Sequence, residues 1–106
     1  AVKYTSKRIV EVIDMILKES KQQPIIIVQA DHGFGTLGLD HYKILNAYYL
    51  PGGNQGLYDT ITPVNTFRVI LNRYANQNYP LLPDIIMTRP EKGKKFLPIK
   101  VDCSLK

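Results

Sequence analysis

Cysteine occurs once, at Cys103. A single thiol closes no internal disulfide and builds no cysteine-based zinc site. It leaves the redox compartment open, since a cytosolic chain and a bridge-free secreted one both fit. Long apolar runs are missing as well. None approaches the ~18–20 residues that a bilayer span needs, so no membrane segment is expected. No signal-peptide pattern opens the chain. The start, Ala1-Val2-Lys3-Tyr4, lacks Met and runs at once into a helical pattern, which hints at a cut or processed beginning. Repeats and low-complexity tracts are absent. A nucleophile is the conspicuous gap: Ser6, Ser20, Ser104 and the threonines sit in no elbow motif, and Cys103 has no base beside it.

What is present belongs to a globular chain. At 106 residues and 44% hydrophobic content it can form one domain with a core. Its net charge of +5 invites a nucleic-acid reading. The excess is local, however. Residues 89–106 carry Arg89, Lys92, Lys94, Lys95, Lys100 and Lys106 against Glu91 and Asp102. No nucleic-acid motif accompanies them, so this segment reads as a solvated basic tail and no specific nucleic-acid partner is expected.

Periodicity predicts a small α/β unit of two helices and two to four strands. Residues 3–21 space Ile9, Val12, Ile13, Ile16 and Leu17 as one helical stripe, with Thr5 or Ser6 as cap and Asp14–Lys18 placed for a pair. Pro24 ends that helix. Ile25 to Val28 are an unbroken β-branched run, as in an interior strand covered on both faces of a parallel sheet. Residues 43–50 predict a second strand, ended by Pro51-Gly52-Gly53. Thr62-Pro63 opens a second helix with Val64, Phe67, Ile70, Leu71 and Tyr74 as its apolar stripe. Residues 80–84 read as an extended connector, and residues 85–88 and 96–101 as short strands.

Chemistry-bearing residues gather behind the first strand. Asp31 and His32 emerge at its carboxyl end, where open α/β sheets leave a crevice. A carboxylate beside an imidazole suits Zn²⁺ or Mn²⁺, although a tight site needs three or four donors. Asp40, His41, Asp59 and Asp84 are the other nearby candidates. A turn carboxylate and a surface imidazole explain the same two residues. His41 could serve as a ligand or general base, but the loop-histidine reading is favoured. Arg68 could bind an anion, but an ordinary surface or salt-bridging arginine is favoured. Gly33-x-Gly35-x-x-Gly38 follows a strand but precedes no helix, so the dinucleotide fingerprint lacks its context.

Four ordered blocks carry a resemblance. They are Ile-Ile-Val-Gln-Ala-Asp-His-Gly ending at Gly33, Ile44-Leu45-Asn46-Ala47-Tyr48-Tyr49-Leu50-Pro51-Gly52, Ile61-Thr62-Pro63-Val64-Asn65-Thr66-Phe67-Arg68, and Tyr79-Pro80-Leu81-Leu82-Pro83-Asp84. Together they resemble the carboxyl-terminal part of sulfatase-like hydrolases of the alkaline-phosphatase-like superfamily. The likeness runs over about residues 3–84 and is nearest to bacterial and archaeal members, often membrane-anchored with an extracytoplasmic hydrolase domain. It implies a three-layer α/β/α sandwich with a mostly parallel sheet. Residues 1–88 would be the carboxyl-terminal portion of that domain, and residues 89–106 an unassigned tail. It also implies metal-dependent cleavage of phosphate or sulfate esters, with Asp31 and His32 as metal ligands and Zn²⁺ or Mn²⁺ favoured over Mg²⁺ or Ca²⁺. The family's nucleophile and remaining metal carboxylates lie upstream of these blocks, and its loop after the Asp-His-Gly element is longer. The expectation is therefore a fragment inactive by itself. Its partner would be the missing amino-terminal part of the same domain, or a second copy. The alternative is a non-catalytic, self-associating α/β module.

Overall fold

The computed structural model describes residues 1–35, 39–89 and 91–101. Gly38 of the glycine loop and Cys103 of the tail lie outside the described residues. Contacts divide the chain into two units: Ala1–Asp31 with Ile44–Gln55, and His32–Lys43 with Gly56–Lys106.

The first unit is a helix and a two-stranded ladder. Helix α1 spans Val2–Glu19. It starts earlier than the Thr5 or Ser6 cap predicts, at Ala1, and Thr5 instead turns its Oγ1 back to the Ala1 carbonyl at 3.1 Å. Arg8 and Glu11 form an i,i+3 ion pair on its surface. Strand β1, Ile26–Gln29, pairs with β2, Asn46–Tyr49. Ile26 faces Tyr49 and Gln29 faces Asn46. The ladder is antiparallel, where the β-branched run predicted a parallel neighbour. Such a run reports burial on both faces and is silent on strand direction. Ile26, Ile27 and Val28 are half-buried on both faces, in keeping with the single ladder that β1 makes among the described residues. Gln23 ties the link before β1 to Tyr49, its Nε2 donating to the phenol oxygen at 3.2 Å.

The second unit is organised by helix α2, Pro63–Tyr74. Thr62 holds the N-cap position and Pro63 the first turn, as the sequence predicts. The buried face differs from the predicted stripe. Asn65, Thr66, Val69 and Ile70 are buried, while Val64, Phe67 and Leu71 are exposed. The reason is a polar zipper. Asn65, Arg68 and Asn72 recur at i, i+3 and i+7, on one helix face. Asn65 exchanges two bonds with Leu82: Nδ2 donates to its carbonyl at 2.6 Å, and its amide donates to Oδ1 at 2.9 Å. Asn72 does the same with Tyr79, at 2.8 and 2.7 Å. Between them Arg68 Nη1 donates to Pro80 O at 3.0 Å, and its guanidinium lies 5.8 Å from the Tyr79 ring.

The geometry matches on both sides. Seven helical residues rise about 10.5 Å, and three extended residues span about 10 Å. An extended segment running antiparallel to the helix can therefore meet one asparagine at each end. Pro80 and Pro83 suit it, because prolines favour extended backbone and these positions supply no amide.

Beyond the segment, β3, Ile85–Thr88, pairs antiparallel with β4, Leu97–Lys100. This ladder joins residues on either side of the expected boundary between 88 and 89. The Val101 amide extends it to the Asp84 carbonyl at 3.3 Å. The architecture is thus α/β, with two helices and two small antiparallel sheets. No parallel ladder occurs among the described residues.

Candidate functional site

Strand β1 delivers the chain to Asp31, and the Ala30 amide continues the ladder by one bond to Leu45 O at 2.9 Å. Asp31 ends the first stretch of the first unit, and His32 begins the second unit. Both residues are exposed.

From His32 the chain makes a loop that closes on itself. A 3₁₀ turn, Leu39–Tyr42, brings it back, and the Gly33 amide donates to His41 O at 2.6 Å. A side chain at position 33 would overlap the carbonyl oxygens of Asp40 and Lys43. Glycine is therefore required at the neck by close approach of backbone.

The neck stacks two imidazoles. His32 and His41 lie with ring centroids 5.2 Å apart and planes 18° from parallel. His32 Nδ1 contacts Gly33 O at 2.8 Å, and His41 Nδ1 contacts Gly35 O at 2.8 Å. A carbonyl only accepts, so each contact is a hydrogen bond in which Nδ1 donates. A backbone carbonyl on one ring nitrogen is the usual outer support of a histidine that ligates through the other. Gly35, at φ 85°, adopts the left-handed backbone that lets its carbonyl reach His41. Tyr42 meets the His41 ring edge-on at 5.4 Å.

The remaining carboxylates named from sequence are engaged elsewhere. Asp40 Oδ1 pairs with Lys43 Nζ at 2.7 Å. Asp59 makes its own polar interaction. Asp84 is the hub of a knot at the start of α2. Its Oδ1 accepts from the Thr62 amide at 2.8 Å, Thr62 Oγ1 at 2.7 Å and Asn65 Nδ2 at 3.0 Å, and its Oδ2 accepts from Tyr58 OH at 2.6 Å. It caps α2 from a distance, with its charge at the positive end of the helix. Burial pushes the Asp84 carboxyl up, but the bonds from Tyr58, Thr62 and Asn65 outweigh it and hold the group below its ordinary range. Burial, with the Asp84 carboxylate beside it, pushes the Tyr58 phenol up. Asp84 is thus a structural anchor rather than a ligand in waiting.

Among the described residues, no three His, Cys, Asp or Glu side chains converge as a metal-holding group. The donor chemistry of Asp31 and His32 fits two ligands of a divalent ion, and the set stops at two. The resemblance carried no role onto His41, and its stacking on His32 was not anticipated. Its signal was the pair of glycines, Gly33 and Gly35, that fold the loop back onto the first histidine. Arg68, named as a possible anion binder, gives Nη1 to Pro80 O and lies near the Tyr79 ring, while its buried Nε has no hydrogen-bond partner among the described residues.

No family model, no curated protein and no solved structure matches the chain.

Proposed function

We propose that this chain is the carboxyl-terminal part of a metal-dependent hydrolase of phosphate or sulfate esters, of the sulfatase-like kind. Asp31 and His32 donate to one divalent ion, Zn²⁺ or Mn²⁺ rather than Mg²⁺ or Ca²⁺. The observation that supports the reading is the place of Asp31 and His32 just past the carboxyl end of β1, with His32 Nδ1 held 2.8 Å from Gly33 O. A bound ion would neutralise ester oxygens and acidify a hydroxyl or water nucleophile. The chain's own part is narrower. Asp31 brings a carboxylate, His32 brings an imidazole nitrogen, and the Gly33 neck holds the histidine in register with His41.

In the whole domain the sheet would be mostly parallel and sandwiched between helical layers, with further strands beside β1. The nucleophile and the other ligands would come from that remainder, so the 106-residue chain turns over no ester alone. Calorimetric titration with Mn²⁺ and with Zn²⁺ tests the reading. The expected result is weak binding that Asp31→Ala and His32→Ala each remove. Absence of any response at millimolar metal would overturn the site. Hydrolysis of an aryl phosphate or sulfate by the pure chain, lost in Asp31→Ala, would overturn its incompleteness.

A second reading, a self-associating non-catalytic module, has one observation in its favour. None of the eighteen residues of α1 is buried. Between α1 and β1 lies an open apolar groove of about 470 Å³, lined by Ile9, Val12, Ile13, Ile16, Ile26 and Val28 among others. A concentration-dependent dimer without metal response, measured by light scattering, would favour this reading over the hydrolase.

A further inference from the structure

Strands β3 and β4 divide their side chains between two faces by register. Ile85 opposes Lys100 and Met87 opposes Pro98, so these four share a face. Arg89 and Phe96 continue it, and the Arg89 guanidinium lies 5.3 Å from the Phe96 ring. Ile86, Thr88, Leu97 and Ile99 take the other face. Ile86, Thr88 and Ile99 are half-buried there and Leu97, next to the turn, is exposed, and Asp84 points the same way into the knot with Tyr58, Thr62 and Asn65. The knot therefore fixes which face of the hairpin is outward. That outward face is apolar at its centre and toward its turn: Ile85, Met87 and Phe96 are 46, 52 and 56% exposed. Its ends and turn are cationic. Arg89, Lys92, Lys94, Lys95 and Lys100 are all exposed, against one acid among the described residues of this segment, Glu91.

We propose that this outward face docks on an anionic lipid surface. The assignment is independent of the hydrolase reading. Charge complementarity selects an anionic partner, and the arrangement of the charges selects among anionic partners. An apolar centre with a cationic surround matches a bilayer interface, where acyl chains lie beneath a plane of phosphates. Lysine and arginine stems can lie along the apolar layer while their heads reach the phosphates. A nucleic acid fits less well. It would leave Ile85 and Met87 against a charged backbone, and the face offers a single aromatic ring, Phe96, where stacking on successive bases needs several. The contact is peripheral, since no helix among the described residues is long and apolar enough to cross a membrane.

The chain contains no tryptophan, so Phe96→Trp installs a single reporter on the face, at its turn end. The test mixes this variant of the full chain with phosphatidylcholine vesicles, with and without phosphatidylglycerol. The expected result is a blue shift and co-sedimentation only with the anionic vesicles, both reversed by high salt. Lys92→Glu/Lys94→Glu/Lys95→Glu, all at the exposed turn, should weaken binding about thirtyfold or more. Met87→Ser should weaken it several-fold while leaving the fold, followed by circular dichroism, unchanged. Three results would each overturn the proposal: no blue shift with anionic vesicles, binding indifferent to Met87→Ser, or binding to single-stranded DNA at low salt without binding to vesicles.

Discussion

Asn65 and Leu82 hold each other by a reciprocal pair of hydrogen bonds, the side-chain amide standing in for a strand neighbour. Asn65 is fully buried, at 0% exposure, and its Nδ2 also reaches Tyr58 OH and Asp84 Oδ1 at 3.0 Å. Two amide hydrogens thus serve three acceptors. Asn65→Ala leaves the Leu82 amide and carbonyl unpaired beside a cavity, and should cost about 2–4 kcal/mol. Asn72→Ala breaks the matching pair with Tyr79 at a less enclosed place, and should cost about 1 kcal/mol. Urea unfolding midpoints at constant slope decide it. A loss within about 0.5 kcal/mol for Asn65→Ala would show that the zipper is ornamental.

Asp84 and Tyr58 give the knot a pH signature with two limbs. The Asp84 carboxyl is held below its ordinary value of 3.8. Near that pH the unfolded chain binds more protons than the folded one, so stability rises with pH there. The contribution is present above 3.8 and is lost as pH falls through the lower folded value. The Tyr58 phenol is raised above 10.0, so the folded chain keeps its proton longer and stability falls as pH rises past that point. Chemical unfolding across pH should give a plateau between the limbs. Asp84→Asn should flatten the acid limb and Tyr58→Phe the alkaline one. An acid limb unchanged in Asp84→Asn would place the acid sensitivity in other carboxylates.

Local signals announced the helices and strands. The Thr62-Pro63 start of α2 was legible because the N-cap preference and the fixed proline φ act within two residues. The β1 run was legible as a strand for the same kind of reason. Its antiparallel partner was not, because β-branched residues report burial and say nothing of direction. The buried face of α2 was misread on physical grounds. Apolar periodicity assumes that water-exposed atoms are polar, whereas Asn65 and Thr66 are buried with their hydrogen bonds met by residues 58, 62, 82 and 84. Asp84 looked like a connector carboxylate because its partners lie 19–26 positions away. In the candidate site, Asp31 and His32 were visible as a strand-end pair. The stacking of His41 on His32 was not, since it depends on how a glycine loop closes.

Gly33 sets that closure, and a methyl group there should undo it. The Cβ of Gly33→Ala would meet two backbone carbonyls, which cannot swing aside as a flexible side chain would. The neck must open, breaking the bond from the Gly33 amide to His41 O. The cost should be about 1–3 kcal/mol. The sharper readout is local: the imidazole resonances of His32 and His41 should shift together, while those of α1 residues stay in place. Retention of the wild-type imidazole shifts in the alanine variant would disprove the closed neck.

Helix α1 provides the opposite case, a long element held by little. Ile13 and Ile16 are its only half-buried residues, and both line the groove beside β1. Val10 and Met15 are exposed at 55 and 51% and line no part of it. Removing apolar atoms matters in proportion to the contact they lose, so Ile13→Ala should cost about 1–2 kcal/mol. Met15→Ala should fall within about 0.5 kcal/mol of neutral, because alanine's helix propensity offsets the small loss of contact. Amide hydrogen exchange checks the ranking. The α1 amides should exchange faster than those of α2, whose Val69 and Ile70 are buried, and Ile13→Ala should widen the gap. If Met15→Ala were the more damaging change, α1 would be packed through its other face.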